Sequence, residues 1–367
     1  SMRTVSLLAL AGIALLLWRL GPSSEGPDPL PALAFLSMGI VVQYGRTGEI
    51  DVLFAFFVTA ALACFELGRR RRSPGLQWVL SQSMVAAGVL TKGIAPLFFY
   101  PPVAFCALRR RDAFPFSARA FALGLLVMAA LVAAWVVPYS LRSPAAALGE
   151  RLASEVAERT VGFAPGRIAW HLLSYPAVVL GSAAPWSLGL LALAAAAGRS
   201  RLAASRLDPA LVFAGSVVAW GALVFLFVPG TVPRYLIPVL PFLAVLLAAL
   251  LRESRGVSRG LLAAGLAYGL VYACVVDARV AARNREQYVG PGEAIAEAVT
   301  DGRPLVCLEG VDRKLSYVIA HRLNRAIRER PPEGPFFWVA GREAQPPPGA
   351  VKVTEAGRFG LWRIDAR

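Results

Sequence analysis

Residues 51–72 read DVLFAFFVTAALACFELGRRRR, an apolar run that an aspartate opens and four consecutive arginines close. Coiled at 1.5 Å per residue, residues 51–67 would extend roughly 26 Å, close to the ~30 Å thickness of bilayer hydrocarbon. The apolar residues are continuous instead of alternating, which argues against a strand of a transmembrane barrel. A block of arginine at one end of a span marks its cytoplasmic side. The stretch therefore reads as a membrane-crossing helix with Asp51 at the outer end.

The rest of the chain repeats this arrangement. Apolar segments lie near 4–20, 30–45, 51–67, 77–91, 94–108, 118–140, 173–197, 209–228, 235–251 and 260–276, about ten in all. The hairpin at 77–108 is short for two full crossings. Of the 367 residues 57% are hydrophobic and 17% charged, where soluble proteins carry roughly 25% charged residues. The expected fold is an all-α polytopic membrane protein. Its loops alternate in charge. Arg69–Arg72, then Arg109–Arg111 with Arg119, then Arg199, Arg201 and Arg206, then Arg252, Arg255 and Arg259 form the cytoplasmic set. The loops at 46–51, 91–93, 141–172 and 228–234 then lie outside. The net charge of +15 is concentrated in short loops, so it sets orientation and does not point to nucleic acid. By the same parity Arg19 is cytoplasmic and Arg3 outside.

Residues 277–367 change character: they are charged, contain Pro331-Pro332 and Pro346–Pro348, and hold apolar runs at 305–308 and 336–339. Helical spacing at 292–299 and 314–328 between short strands predicts a small α/β domain. The expected division is 1–276 in the membrane and 277–367 as an extracytoplasmic domain. Cys64, Cys106, Cys274 and Cys307 show neither CxxC nor zinc spacing and read as inert thiols. With His171 and His321 as the only histidines, a His-rich metal site is excluded.

Ionisable residues at the mouths of apolar segments are costly, about 2.5–3.5 kcal/mol each at a helix centre. Arg46, Glu49 and Asp51 lie together before the 51–67 helix. Asp51 reads either as a helix-terminal carboxylate paired with Arg46 or as part of a polar site. Lys92 either snorkels to the interface or joins that site. In the 141–172 loop Arg151, Glu155, Glu158 and Arg159 share helical spacing, either as a surface amphipathic helix or as a solvated face. His171 reads as structural. Arg234 and Tyr235 stand at an outside helix mouth, where guanidinium and phenol suit phosphate oxygens, and Pro238 and Pro241 are expected to kink that helix. The outside face thus gathers Arg46, Lys92, Arg159 and Arg234 with Glu49, Asp51, Glu155 and Glu158. Cations suit an anionic lipid headgroup and carboxylates a general base or metal clamp, as an enzyme acting on a lipid-phosphate-linked sugar requires.

Several of these segments together resemble a known family. Residues 46–59, RTGEIDVLFAFFVT, resemble the R-x4-D and following apolar helix of bacterial aminoarabinose and protein mannosyl transferase-like enzymes of the GT-C superfamily. Leu90-Thr91-Lys92-Gly93 resembles their LTKGP tip, with Ile94 in place of Pro. Glu155–Arg159 is similar to their ENxxR loop, with Val156 in place of Asn. Pro185-Trp186-Ser187 resembles a PWS/PWT motif, and Pro233–Pro238 a P-R/H-Y-L-L-P motif. The resemblance spans residues 30–250. It implies a GT-C fold in a bacterial inner membrane, a polyprenyl-phosphate sugar donor and a lipid, glycan or protein acceptor reached from outside. Arg46, Lys92, Arg159, Arg234 and Tyr235 are the expected contacts to lipid phosphate. Asp51, Glu49 and Glu155 are the expected catalytic carboxylates, and a divalent metal is left open. The family's first transmembrane helix and first, acidic outside loop are expected to be missing, since the chain begins at what resembles its second membrane segment. Three readings follow: a truncated start, an enzyme that uses Asp51 or Glu49 differently, or a non-catalytic lipid-phosphate-binding membrane partner. A secondary transporter is less favoured, because ionisable groups lie at helix ends instead of mid-span and no inverted repeat is visible.

Overall fold

The computed structural model describes residues 2–365 except 21–26, 46–49, 143–164, 190–207, 229–231, 252–254, 300, 308–310, 312, 326, 328–333 and 342–344. The chain divides into two compact units, Ser1–Leu270 and Val271–Arg367.

In the first unit the described helices are α1 (Met2–Leu20), α2 (Leu30–Leu36), α3 (Gly39–Tyr44), α4 (Ile50–Arg70), α5 (Ser81–Lys92), α6 (Pro101–Arg109), α7 (Ala118–Arg142), α8 (Pro165–Ser182), α9 (Pro209–Leu226), α10 (Leu240–Leu251) and α11 (Arg255–Val271). α1, α4, α7, α9 and the helical run from Gly256 are long and apolar enough to cross a bilayer. The chain is a multi-pass membrane protein. α4 lies at the centre, packed against α1 and α5, and is the most buried of these spans. Its Val52, Ala55, Val58, Leu62 and Phe65 are buried at helical spacing. α7, by contrast, has few buried residues although it packs on α5. α9 starts at a helix cap, with the Asp208 carboxylate accepting from the Ala210 amide (2.8 Å) and proline at the first helical position.

Residues 30–45 and 235–251 are among the segments that differ from the sequence expectation. Residues 30–45 do not form one helix. Ser37 turns its hydroxyl onto the Leu33 carbonyl (2.6 Å), and Met38 is extended at φ −68°, ψ 137°. The Gly39 amide then donates to the Ala184 carbonyl (2.7 Å) instead of continuing the helix. Trp186 fixes the break from the other side, its fully buried indole donating to Ser37 Oγ (2.8 Å). Residues 235–251 also differ: Pro238 does not kink a helix but precedes one. Pro233–Leu236 form a 3₁₀ turn, and α10 begins at Leu240.

At the arginine end of α4, Gly68 touches a π-helical turn at Gly75–Leu80. A β-carbon there would stand 2.3 Å from the Gln77 backbone nitrogen. Backbone cannot yield as a side chain does, so Gly68→Val is expected to destabilise the unit by at least ~1–3 kcal/mol, read as earlier thermal aggregation in detergent.

The second unit is a four-stranded sheet with helices. Its described elements are α12 (Asp277–Asn284), α13 (Gly290–Ala298), β1 (Leu305–Cys307), α14 (Arg313–Leu323), β2 (Phe336–Gly341), β3 (Val351–Ala356) and β4 (Phe359–Ile364). The strand order is β1-β2-β4-β3, with β1 parallel to β2 and the other pairs antiparallel. Ile295 of α13 and Leu315 and Ile319 of α14 pack on one sheet face over Phe337, Val339 and Leu361. The other face carries Val306, Trp338 and Trp362. Both faces of the central strands are buried, which is why β2 reads as a continuous apolar run.

Candidate functional site

Asp51 occupies the first turn of α4, where the helix dipole favours a carboxylate. Its side chain is only 5% exposed, so it is buried as an ion and needs partners. Two other segments supply them. Lys92, the last residue of α5, bonds Asp51 Oδ1 through Nζ. Arg234, in the 3₁₀ turn before α10, places Nε 3.1 Å from Oδ2; the alignment is that of an ion pair, not of a hydrogen bond. The Tyr235 ring lies over the ammonium, 4.1 Å from Lys92 Nζ to the ring centroid, with the Phe54 ring at 5.3 Å on α4. Each aromatic face adds attraction for the cation. Exposure rises outward through the cluster, from 5% at Asp51 through 19% at Lys92 to 36% at Arg234.

Local sequence explains the positions. Gly93 ends α5 at φ 60°, ψ −144°, a conformation that glycine adopts readily and other residues resist. That turn stops the helix at Lys92 and leaves the ammonium at its tip. Gly93→Ala is expected to cost about 1–3 kcal/mol of backbone strain, measurable as lost thermal stability. Pro233 and Arg234 follow α9, and α9 is fastened near its end. Phe225 carries one of its last carbonyls, which can only accept, so His171 Nε2 donates to it (3.0 Å). His171 thus ties α8 to the end of α9.

Two cavities open beside this turn. One of about 400 Å³ is lined mainly by apolar groups, among them Ile40, Val178, Pro185 and Pro233, with Gln43, Ser182 and Tyr268 as polar members. A smaller one of about 60 Å³ is bounded by His171, Tyr175 and Phe225. Val178 and Pro233 line both.

Of the residues nominated from sequence, Asp51, Lys92, Arg234 and Tyr235 are brought together. Arg46, Glu49, Glu155 and Arg159 lie outside the described residues, as do Arg151 and Glu158. Among the described residues no three His, Cys, Asp or Glu side chains converge as a metal site. Sequence reading missed one ion cluster. Glu66, 3% exposed, accepts from Arg69 Nε (2.8 Å) and Nη2 (2.6 Å) and from Arg70 Nε (2.8 Å). Arg70 Nη2 also donates to the Leu20 carbonyl at the end of α1 (3.1 Å), and Arg69 stacks on Phe114. The i,i+3 and i,i+4 spacing of one acid to two arginines was the available signal.

These features define a polytopic membrane protein in which a lysine and an arginine meet a buried carboxylate at one helix mouth. Its fold is that of the solved structures of ArnT from Cupriavidus metallidurans. The structure of ArnT from Cupriavidus metallidurans bound to undecaprenyl phosphate superposes with a TM-score of 0.73 at 15% identity, over 99% of this chain and 83% of that one. The apo structure of the same protein gives 0.70 at 15% identity, over 98% and 83%. In sequence the chain is 31% identical over 239 residues to the undecaprenyl phosphate-alpha-4-amino-4-deoxy-L-arabinose arabinosyl transferase 1 of Sodalis glossinidius (strain morsitans). That match takes in 61% of this chain, which spans 40% of the length of that curated relative. No family model matches the chain.

Proposed function

We propose that this protein transfers a sugar from a polyprenyl-phosphate donor to a lipid, glycan or protein acceptor on the extracytoplasmic side of a bacterial inner membrane. The observation that carries the reading is the convergence of Lys92, Arg234 and Tyr235 on buried Asp51. The guanidinium offers paired N–H donors that fit two phosphate oxygens, Lys92 a point charge, and Tyr235 a hydroxyl donor. In this reading the first prenyl carbons enter the apolar cavity lined by Pro233, the residue before Arg234.

In the reaction the acceptor oxygen or nitrogen attacks the anomeric carbon, the bond from that carbon to the phosphate oxygen breaks, and polyprenyl phosphate leaves as the anion. Lys92 and Arg234 stabilise the charge that grows on the leaving phosphate. Both oxygens of Asp51 are engaged by the two cations, so it acts as their positioning residue. The proton lost by the acceptor passes to a carboxylate, for which Glu49 and Glu155 are nominated from sequence. The C-terminal unit lies outside by loop parity. The likeness to a transferase of this class in sequence and fold supports the reading.

Comparing polyprenyl phosphate with the uncharged polyprenol tests the site. The phosphate is expected to bind at least about 100-fold more tightly, since two charged hydrogen bonds of ~1.5–3 kcal/mol are at stake. Equal binding of alcohol and phosphate would overturn the assignment.

A further inference from the structure

The second unit carries a cationic surface that sugar transfer does not use. Arg279 and Arg283 are one helical turn apart on α12 and share a face. Arg285 follows in the π-helical turn Arg285–Val289. All three are exposed, and none forms an ion pair among the described residues. Exposed Val280 lies between Arg279 and Arg283, and exposed Val275 precedes them. The same turn presents Tyr288, on which two cations from distant sequence converge. Lys314 Nζ of α14 lies 5.3 Å and the Arg358 guanidinium 5.4 Å from its ring centroid, and Arg358 Nη2 donates to its hydroxyl (3.2 Å). The acids of residues 277–289 are Asp277 and Glu286, so basic groups predominate.

We propose that this surface docks on the phosphate headgroups of anionic lipids at the bilayer face where the chain leaves the membrane. Covalent connectivity places its first arginine there. Arg279 follows the apolar segment 260–276 by three residues, a reach of at most about 10 Å. That is comparable to the headgroup layer and the ~8–10 Å Debye length. Tyr268 and Tyr272, near the end of the segment, are the aromatic residues expected at an interface. A basic cluster directly after a span attracts anionic lipid, each residue contributing on the order of fivefold in affinity. Exposed valines among arginines suit the boundary between headgroup and acyl chain. The inference is independent of the transfer reading.

The test is hydrogen exchange of the full chain in lipid nanodiscs, comparing phosphatidylcholine with the same lipid containing one part in three of phosphatidylglycerol. Amides of 279–290 should exchange severalfold more slowly in the anionic disc, while those of β2 should be unchanged. The slowing should vanish in 0.5 M salt and in Arg279→Gln/Arg283→Gln, whose altered side chains are exposed. Lys314→Gln/Arg358→Gln should weaken it with α12 intact. Equal exchange in both discs, or slowing that survives Arg279→Gln/Arg283→Gln, would overturn the proposal. Protection by millimolar inorganic phosphate in neutral discs would instead show a site for free anions.

Discussion

Lys92→Ala/Arg234→Ala is expected to weaken polyprenyl-phosphate binding by about 10²–10⁴-fold. Each substitution removes charge-assisted hydrogen bonds worth ~1.5–3 kcal/mol, and a tenfold change in affinity corresponds to 1.4 kcal/mol. Arg234→Lys alone keeps the charge but loses the paired donors, so it should recover part of the affinity without restoring it. Removing both cations also strips buried Asp51 of these partners, which confounds binding with stability. Asp51→Asn/Lys92→Gln/Arg234→Gln avoids this by leaving no charge of the triad behind. If that variant stays folded in detergent and binds polyprenyl phosphate as the wild type does, the phosphate is held elsewhere.

The second large effect falls at the opposite end of α4. Glu66→Ala should destabilise the first unit by about 3–5 kcal/mol, because two partly buried arginines, 15% and 27% exposed, lose the carboxylate that neutralises them. Arg70 would lose the acid that holds it against the Leu20 carbonyl, loosening the contact between the ends of α1 and α4. Glu66→Leu/Arg69→Leu/Arg70→Leu should recover much of the loss, since replacing all the charges leaves none uncompensated. Thermal unfolding in detergent separates the two. A single variant as stable as the wild type would mean that water reaches this cluster and screens it.

The contrast between these clusters shows what was legible in the sequence. Asp51, Lys92, Arg234 and Tyr235 could be nominated because each interrupts or opens an apolar segment, where an ionisable group is conspicuous. Glu66 was not, because it stands at the end of the apolar segment, three residues before an arginine run that was read only as a mark of orientation. The span at 51–67 could be placed because length and charge are local properties, and the observed helix extends it only to Ile50–Arg70. The break at Ser37–Met38 could not, since residues 30–45 are apolar throughout and the indole that fixes the break arrives from Trp186. In the second unit β1 and β2 showed as apolar runs. β3 did not, because its residues are largely exposed and its place is set by pairing with β4.

The measurement that bears most directly on the account is transfer of radiolabelled sugar from a panel of polyprenyl-phosphate donors. It uses purified protein in lipid, with bacterial membrane extract as acceptor. The account predicts transfer from at least one donor, lost in Lys92→Ala/Arg234→Ala. Retained polyprenyl-phosphate binding with no transfer from any donor would contradict it and leave a membrane protein that holds lipid phosphate without turning it over.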